Sequence, residues 1–188
     1  MKSILKNAAI LLAITLVAAV ALAFVYDLTK EPIARAEQQK KVEAYQAVYT
    51  EAASFGDVPD VVSILKEYNA TLTGGTAVEE IYTADAADGT RLGYVLSVMA
   101  KGYGGDVKIA LGIDTTGKVV GYSVLSHSET PGFGANMENG DVAAQFIGIT
   151  SADQLDGITG ATYTTNALKA ETQAAIDLVG QLEGGSGT

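Results

Sequence analysis

Apolar and polar residues alternate differently along the chain, and the first pattern is the simplest. Residues Ala8 to Tyr26 are apolar except for Thr15, and no charged residue falls between Lys6 and Asp27. A helix of about 20 residues is about 30 Å long, enough to cross the hydrocarbon core of a bilayer. The run exceeds the roughly 7–15 residues of a signal-peptide core. A loose small-x-small match, Ala34-Arg35-Ala36, lies well beyond it. A retained membrane anchor is therefore favoured over a cleaved signal or a buried core helix.

Beyond the anchor, Lys30 to Ser54 reads as a helix leaving the membrane, with Pro32 marking a break or the first turn of a new helix. Asp60 to Tyr68 fits a second short helix. Glu79–Thr83, Leu92–Ala100, Val107–Ile113 and Val119–Leu125 then read as strands. Asp88-Gly89, Gly102-Tyr103-Gly104-Gly105 and Asp114-Thr115-Thr116-Gly117 separate them as turns. Asn139 to Phe146 fits a short helix. A stronger helix runs from Thr164 or Thr165 to Val179, with Leu168, Ala175, Ile176 and Val179 as its apolar stripe and Gly180 as its stop. The predicted fold is α+β, a largely antiparallel sheet with flanking helices, preceded by one N-terminal transmembrane helix. The expected organisation is a short tail (1–7), the membrane helix (8–26), a helical membrane-proximal segment (27–75), a core (76–180) and a flexible C-terminal tail (181–188).

Composition narrows the chemistry. All 22 acidic residues lie beyond the anchor, with ten of the twelve Lys and Arg. Such a surface repels nucleic acid, and no nucleic-acid partner is expected. With no cysteine and one histidine, thiolate chemistry is absent and a protein-held metal site is not expected. Redox work would need an organic cofactor or a partner. Lys2 and Lys6 before the anchor face Lys30, Arg35, Lys40 and Lys41 after it, so the positive-inside rule does not orient the helix.

Two loops stand out. His127-Ser128-Glu129-Thr130-Pro131-Gly132-Phe133-Gly134 follows a predicted strand and combines hydrogen-bonding groups with a restricted turn. It suits the polar edge of a heterocycle, and it equally suits an ordinary surface turn. Asp156-Gly157-Ile158-Thr159-Gly160-Ala161-Thr162 precedes the last helix. A helix N-terminus offers free N–H groups and a favourable field to a phosphate, although threonines there also serve as plain caps. A threonine hydroxyl is a poor nucleophile unless activated, so a separate transferase explains covalent attachment better than spontaneous reaction.

Together with the anchor, Thr29-Lys30-Glu31-Pro32-Ile33 and the Gly102–Gly105 turn, these loops resemble RnfG, the flavin-binding member of the Rnf ion-translocating electron-transport complexes. The order and spacing of the pieces carry the likeness. The resemblance implies FMN joined through its phosphate to the hydroxyl of Thr162 by a flavin transferase that uses FAD and Mg²⁺. Asp156, Thr159, Gly160 and Ala161 would form the recognition motif. His127, Glu129, Thr130, Gly132 and Gly134 would form the loop beside the flavin. Phe133 stands where the family commonly has leucine.

The same resemblance makes residues 76–180 the FMN-binding core and the other Rnf proteins the partners. It implies a redox subunit of an ion-translocating oxidoreductase, without substrate turnover of its own. The complex would couple ferredoxin:NAD⁺ oxidoreduction to sodium or proton movement. The chain would be a single-pass protein of the cell membrane, with its soluble domain on the outer face. Alternative readings are NqrC, the related FMN carrier of the sodium-pumping NADH:quinone oxidoreductase, a stand-alone reductase, and an anchored scaffold domain without cofactor.

Overall fold

The computed structural model describes residues 2–185. The chain divides into two units, Met1–Lys41 and Val42–Thr188. Helix α1 (Lys2–Val48) runs without a break through Pro32, so the interruption expected there does not occur. A proline costs an interior helix about 3 kcal/mol through its missing N–H and ring clash, yet the helix continues on both sides of it. Within α1, Lys6–Ile33 is a candidate membrane span: its best 18-residue window has a mean hydropathy of 2.9, with none of that window buried.

The second unit is built on a five-stranded antiparallel meander in the order β1-β2-β3-β4-β5. The strands are β1 (Ser54–Asp57), β2 (Ala77–Asp85), β3 (Arg91–Lys101), β4 (Asp106–Asp114) and β5 (Val119–Ser126). The four longer strands fall where the turn chemistry puts them. The helix expected to reach Ser54 ends at Val48, and Ser54–Asp57 instead pairs with β2 at the sheet edge. Helices α2 (Val61–Asn69), α3 (Gly140–Phe146) and α4 (Thr162–Gly185) complete the unit.

Both faces of the sheet are covered, which explains why β3 and β4 carry nearly continuous apolar runs instead of alternation. On one face Leu96, Val98, Ile109 and Leu111 pack with Phe146, Leu168, Ala175 and Val179. On the other, Ala44, Tyr45, Val48 and Tyr49 pack on Ala84, Val95 and Ala110. Gly112 and Gly121 are direct cross-strand partners. A Cβ on either would collide with the Val48 carbonyl oxygen, so a bare strip of sheet seats the end of α1.

Helix α4 starts at Thr162, earlier than the apolar stripe suggested, and continues past Gly180 to Gly185. Residues 181–185 of the expected loose tail are therefore helical, while 186–188 lie outside the described residues. Leu182 packs on the core, and the Tyr94 hydroxyl donates to Glu183 Oε1 at 2.8 Å. Those contacts offset the roughly 1 kcal/mol cost of a helical glycine.

Candidate functional site

The β3–β4 turn, the segment after β5 and the start of α4 converge on a cleft of about 510 Å³, a size ordinary for a small-molecule site. Six residues singled out in the sequence line it: Glu129, Thr130, Gly134, Gly160, Ala161 and Thr162. Four others complete the wall: Tyr103, Phe133, Tyr163 and Thr164. No Lys or Arg is among these ten.

Glu129 ties the three segments together. It is buried, at 6% exposure. Its Oε1 accepts the Gly104 N–H at 2.9 Å, and its Oε2 accepts the Thr164 hydroxyl at 2.6 Å. Hydrogen bonds to a charged group contribute about 1.5–3 kcal/mol each. The glycines read as turn residues serve this carboxylate. A Cβ on Gly102 would strike Oε1, one on Gly134 would strike Oε2, and one on Gly104 would strike the Ser128 carbonyl.

His127 stands outside the cleft wall and supports this loop. Its Nδ1 accepts the Glu129 N–H at 3.0 Å, which puts the ring proton on Nε2, 3.1 Å from Glu138 Oε1. Gly132 also lies off the cleft, at φ +80° in the turn, where its carbonyl accepts from Asn136.

The start of α4 is an open helix end. Ala161 occupies the cap position, and its carbonyl accepts the first intrahelical bond from the Thr165 N–H at 2.9 Å. Alanine has no side-chain acceptor, so among the described residues no side chain caps the first-turn N–H groups. Gly160, at φ +77°, turns the chain into the helix, and its bare Cα packs on the Phe133 ring.

The four threonines around this turn differ sharply. Thr165 is buried; its hydroxyl donates to the Ala161 carbonyl and accepts the Ile158 N–H. Thr164 is 1% exposed and bonded to Glu129. Thr159 is exposed but does not line the cleft. Thr162 is exposed, lines the cleft, and its hydroxyl has no hydrogen-bond partner among the described residues. Asp156 is not brought to it. It lines a separate small crevice with Phe146 and Thr165, and its backbone N–H donates to Gln145 Oε1.

The mouth of the cleft is aromatic. Tyr103 and Tyr163 are 73% and 67% exposed with ring centroids 6.0 Å apart, and Phe133 is also exposed. Periodicity gives no hint of this rim, because its members come from three separate segments: the β3–β4 turn, the segment after β5 and the first turn of α4. Exposed aromatic rings are costly, and together they form a surface suited to a planar or apolar group.

Comparison with known proteins agrees with this geometry. Residues 102–177 match the family described as the FMN-binding domain, and residues 1–48 match the RnfG N-terminal region. The RnfG-type protein of the Na⁺-translocating ferredoxin:NAD⁺ oxidoreductase complex of Acetobacterium woodii is 31% identical over 179 residues, covering 93% of this chain and 84% of that protein. Its counterpart in an ion-translocating oxidoreductase complex of Methanosarcina acetivorans is 28% identical over 192 residues, covering 97% and 98%. The counterpart in the proton-translocating ferredoxin:NAD⁺ oxidoreductase complex of Clostridium ljungdahlii is 30% identical over 115 residues, covering 55% and 62%. The crystal structure of Shewanella oneidensis NqrC gives a TM-score of 0.46 at 14% identity, covering 72% and 70%. By its relatives and its two matched regions, the chain belongs to the RnfG family of ion-translocating oxidoreductase complexes, and it carries that family's FMN-binding domain.

Proposed function

We propose that this protein carries FMN covalently, as a phosphoester on the Thr162 hydroxyl, and passes electrons within its complex on the outer face of the membrane. The observation that carries the reading is the contrast among the threonines. Of the four threonines around the start of α4, Thr162 is the one that combines exposure, a place on the cleft wall and an uncommitted hydroxyl. Thr130, the other exposed threonine on the wall, lies in the loop after β5, away from that helix end.

The lining fits the group. The open N–H groups and the dipole of α4 favour a phosphate at its start. With no cation on the wall, a free FMN phosphate carrying nearly two charges would be held weakly. A phosphodiester to threonine carries one charge, and the covalent bond supplies the retention that cationic side chains would otherwise give. Tyr103, Phe133 and Tyr163 offer surface to an aromatic ring system.

Bound FMN would supply one- and two-electron transfer, with the protein setting its potential through burial, hydrogen bonds and charge. The other Rnf proteins are the electron partners, and a flavin transferase is the maturation partner. Residues 8–26 anchor the chain in the bilayer. Relatives named for sodium and for proton translocation both resemble this chain, and its anchor holds no charge between Lys6 and Asp27 that would mark an ion path.

Intact and peptide mass spectrometry on the chain produced with a competent flavin transferase tests the proposal. FMN is expected on the peptide containing Thr162 and is expected to vanish in Thr162→Val. FMN on another residue, or retained by that variant, refutes the attachment site.

A further inference from the structure

We propose that Glu129 is the positioning residue of the attachment site: it fixes the first turn of α4 and withholds the Thr164 hydroxyl, so that the phosphoester forms on Thr162 alone. This rests on FMN attachment at Thr162.

The chemistry of Thr164 makes the point. It lines the same cleft, one helical turn from the cap, and its hydroxyl donates to a buried carboxylate at 2.6 Å. A hydroxyl beside a carboxylate is the usual arrangement of an activated nucleophile. Thr164 is nevertheless 1% exposed, held between Glu129 and the Gly134 backbone. The bond that would activate it also buries it. Two residues earlier, Thr162 projects from the same turn with its hydroxyl free.

Glu129 also links α4 to the rest of the cleft. Through Oε1 it holds the Gly104 N–H of the β3–β4 turn, and through Oε2 the first turn of α4. With both oxygens engaged and the group buried, its role is to hold the cradle. Gly102 and Gly134 lack the Cβ atoms that would displace it. In the transfer itself, the Thr162 oxygen bonds to the flavin-side phosphorus of a flavin dinucleotide donor. The pyrophosphate P–O bond breaks, AMP leaves with the bridging oxygen, and the hydroxyl proton passes to solvent. Glu129 takes no part in that exchange, and a neutral group that makes the same two contacts should replace it.

The test measures the rate and position of FMN attachment in the full-length chain, using purified flavin transferase, FAD and Mg²⁺, with peptide mass spectrometry as readout. Glu129→Ala is expected to slow attachment at Thr162 by about tenfold or more, the factor set by losing a hydrogen bond to a charged group. Part of the remaining FMN is expected on Thr164. Glu129→Gln is expected to restore both rate and position, since its carbonyl can accept from Gly104 while its amide donates to the Thr164 oxygen.

Gly134→Ala gives an independent arm if Glu129→Ala does not fold. Its Cβ would fall between Oε2 and Thr164 Oγ1, separating the pair while leaving the carboxylate in place, and it is expected to behave as Glu129→Ala. Unimpaired attachment in both Glu129→Ala and Gly134→Ala overturns the proposal. So does a Glu129→Gln variant as slow as Glu129→Ala, because the carboxylate would then act as a charge or a base. A wild-type chain without FMN on Thr162 overturns the attachment reading itself, and this inference with it.

Discussion

Replacing Glu171 with Gln should make the protein more stable, and increasingly so as the pH rises. Glu171 lies on α4 within the core, fully buried, and among the described residues neither carboxyl oxygen has a hydrogen-bond partner of good geometry. Burial pushes its pKa well above the usual carboxylate range, an effect that the nearby Ala100 backbone only partly opposes. Tyr122 faces the same site, and its phenol too is pushed up, first by burial and then by Glu171 and Glu138.

The sign follows from where the proton sits. An unfolded glutamate ionises near pH 4.3. Below that pH both states are protonated and the residue adds no pH dependence. Above it the unfolded chain releases a proton that the folded chain keeps, so folding stability falls by up to about 1.4 kcal/mol per pH unit until the folded-state pKa is passed. Two units amount to at most about 2.7 kcal/mol, against a total of roughly 5–15 kcal/mol for an ordinary domain. Glutamine keeps the shape and cannot ionise. Urea titrations of the full-length wild type and Glu171→Gln in detergent, followed by far-UV circular dichroism from about pH 4.5 to 7.5, measure the difference, and other titrating groups cancel in it. The difference should grow in favour of glutamine as the pH rises. A constant difference across the series would show that Glu171 ionises normally in the folded protein.

Other outcomes follow from packing and from the site. Phe146→Ala removes a buried ring stacked on Tyr122 at a centroid distance of 3.9 Å, and should cost about 3–5 kcal/mol in a urea titration. Gly121→Ala drives a Cβ into the Val48 backbone and should cost about 1–3 kcal/mol or more; an unchanged midpoint would mean that the α1 end does not seat there. With FMN on Thr162, Tyr103 and Tyr163 are the electron-rich rings on the same cleft wall. Excited flavin is quenched by electron transfer from a tyrosine in contact, so Tyr103→Phe combined with Tyr163→Phe should raise flavin fluorescence. Unchanged emission places the ring elsewhere.

The long strands, α3 and the body of α4 were legible because turn residues and apolar spacing mark them locally. β1 was not, since Ser54–Asp57 is too short to show alternation and owes its state to pairing with β2. The C-terminal turns of α4 were hidden for a similar reason: Tyr94 and Leu182 hold them through contacts that override the stop signal of Gly180. At the site, the two loops were visible as motifs, but their relation was not. Glu129 and Thr164 are 35 residues apart, and nothing in either segment announces the other. Gly102, Gly104 and Gly134 looked like turn residues, when their shared role is to leave room for the Glu129 loop. The aromatic pair of Tyr103 and Tyr163 exists only once the turns meet.

The alanine at the head of α4 has a consequence for anyone seeking to make this protein sturdier. Serine or aspartate there would satisfy a helix N–H and add on the order of 1 kcal/mol of stability, and a survey of stabilising substitutions would choose one early. With FMN on Thr162, the same oxygen would compete with the phosphate for those donors, and aspartate would add a like charge beside it. On that reading the helix is left short of its best stability at the end that the bound anion would complete, and selection for robustness and selection for cofactor retention would pull this position in opposite directions.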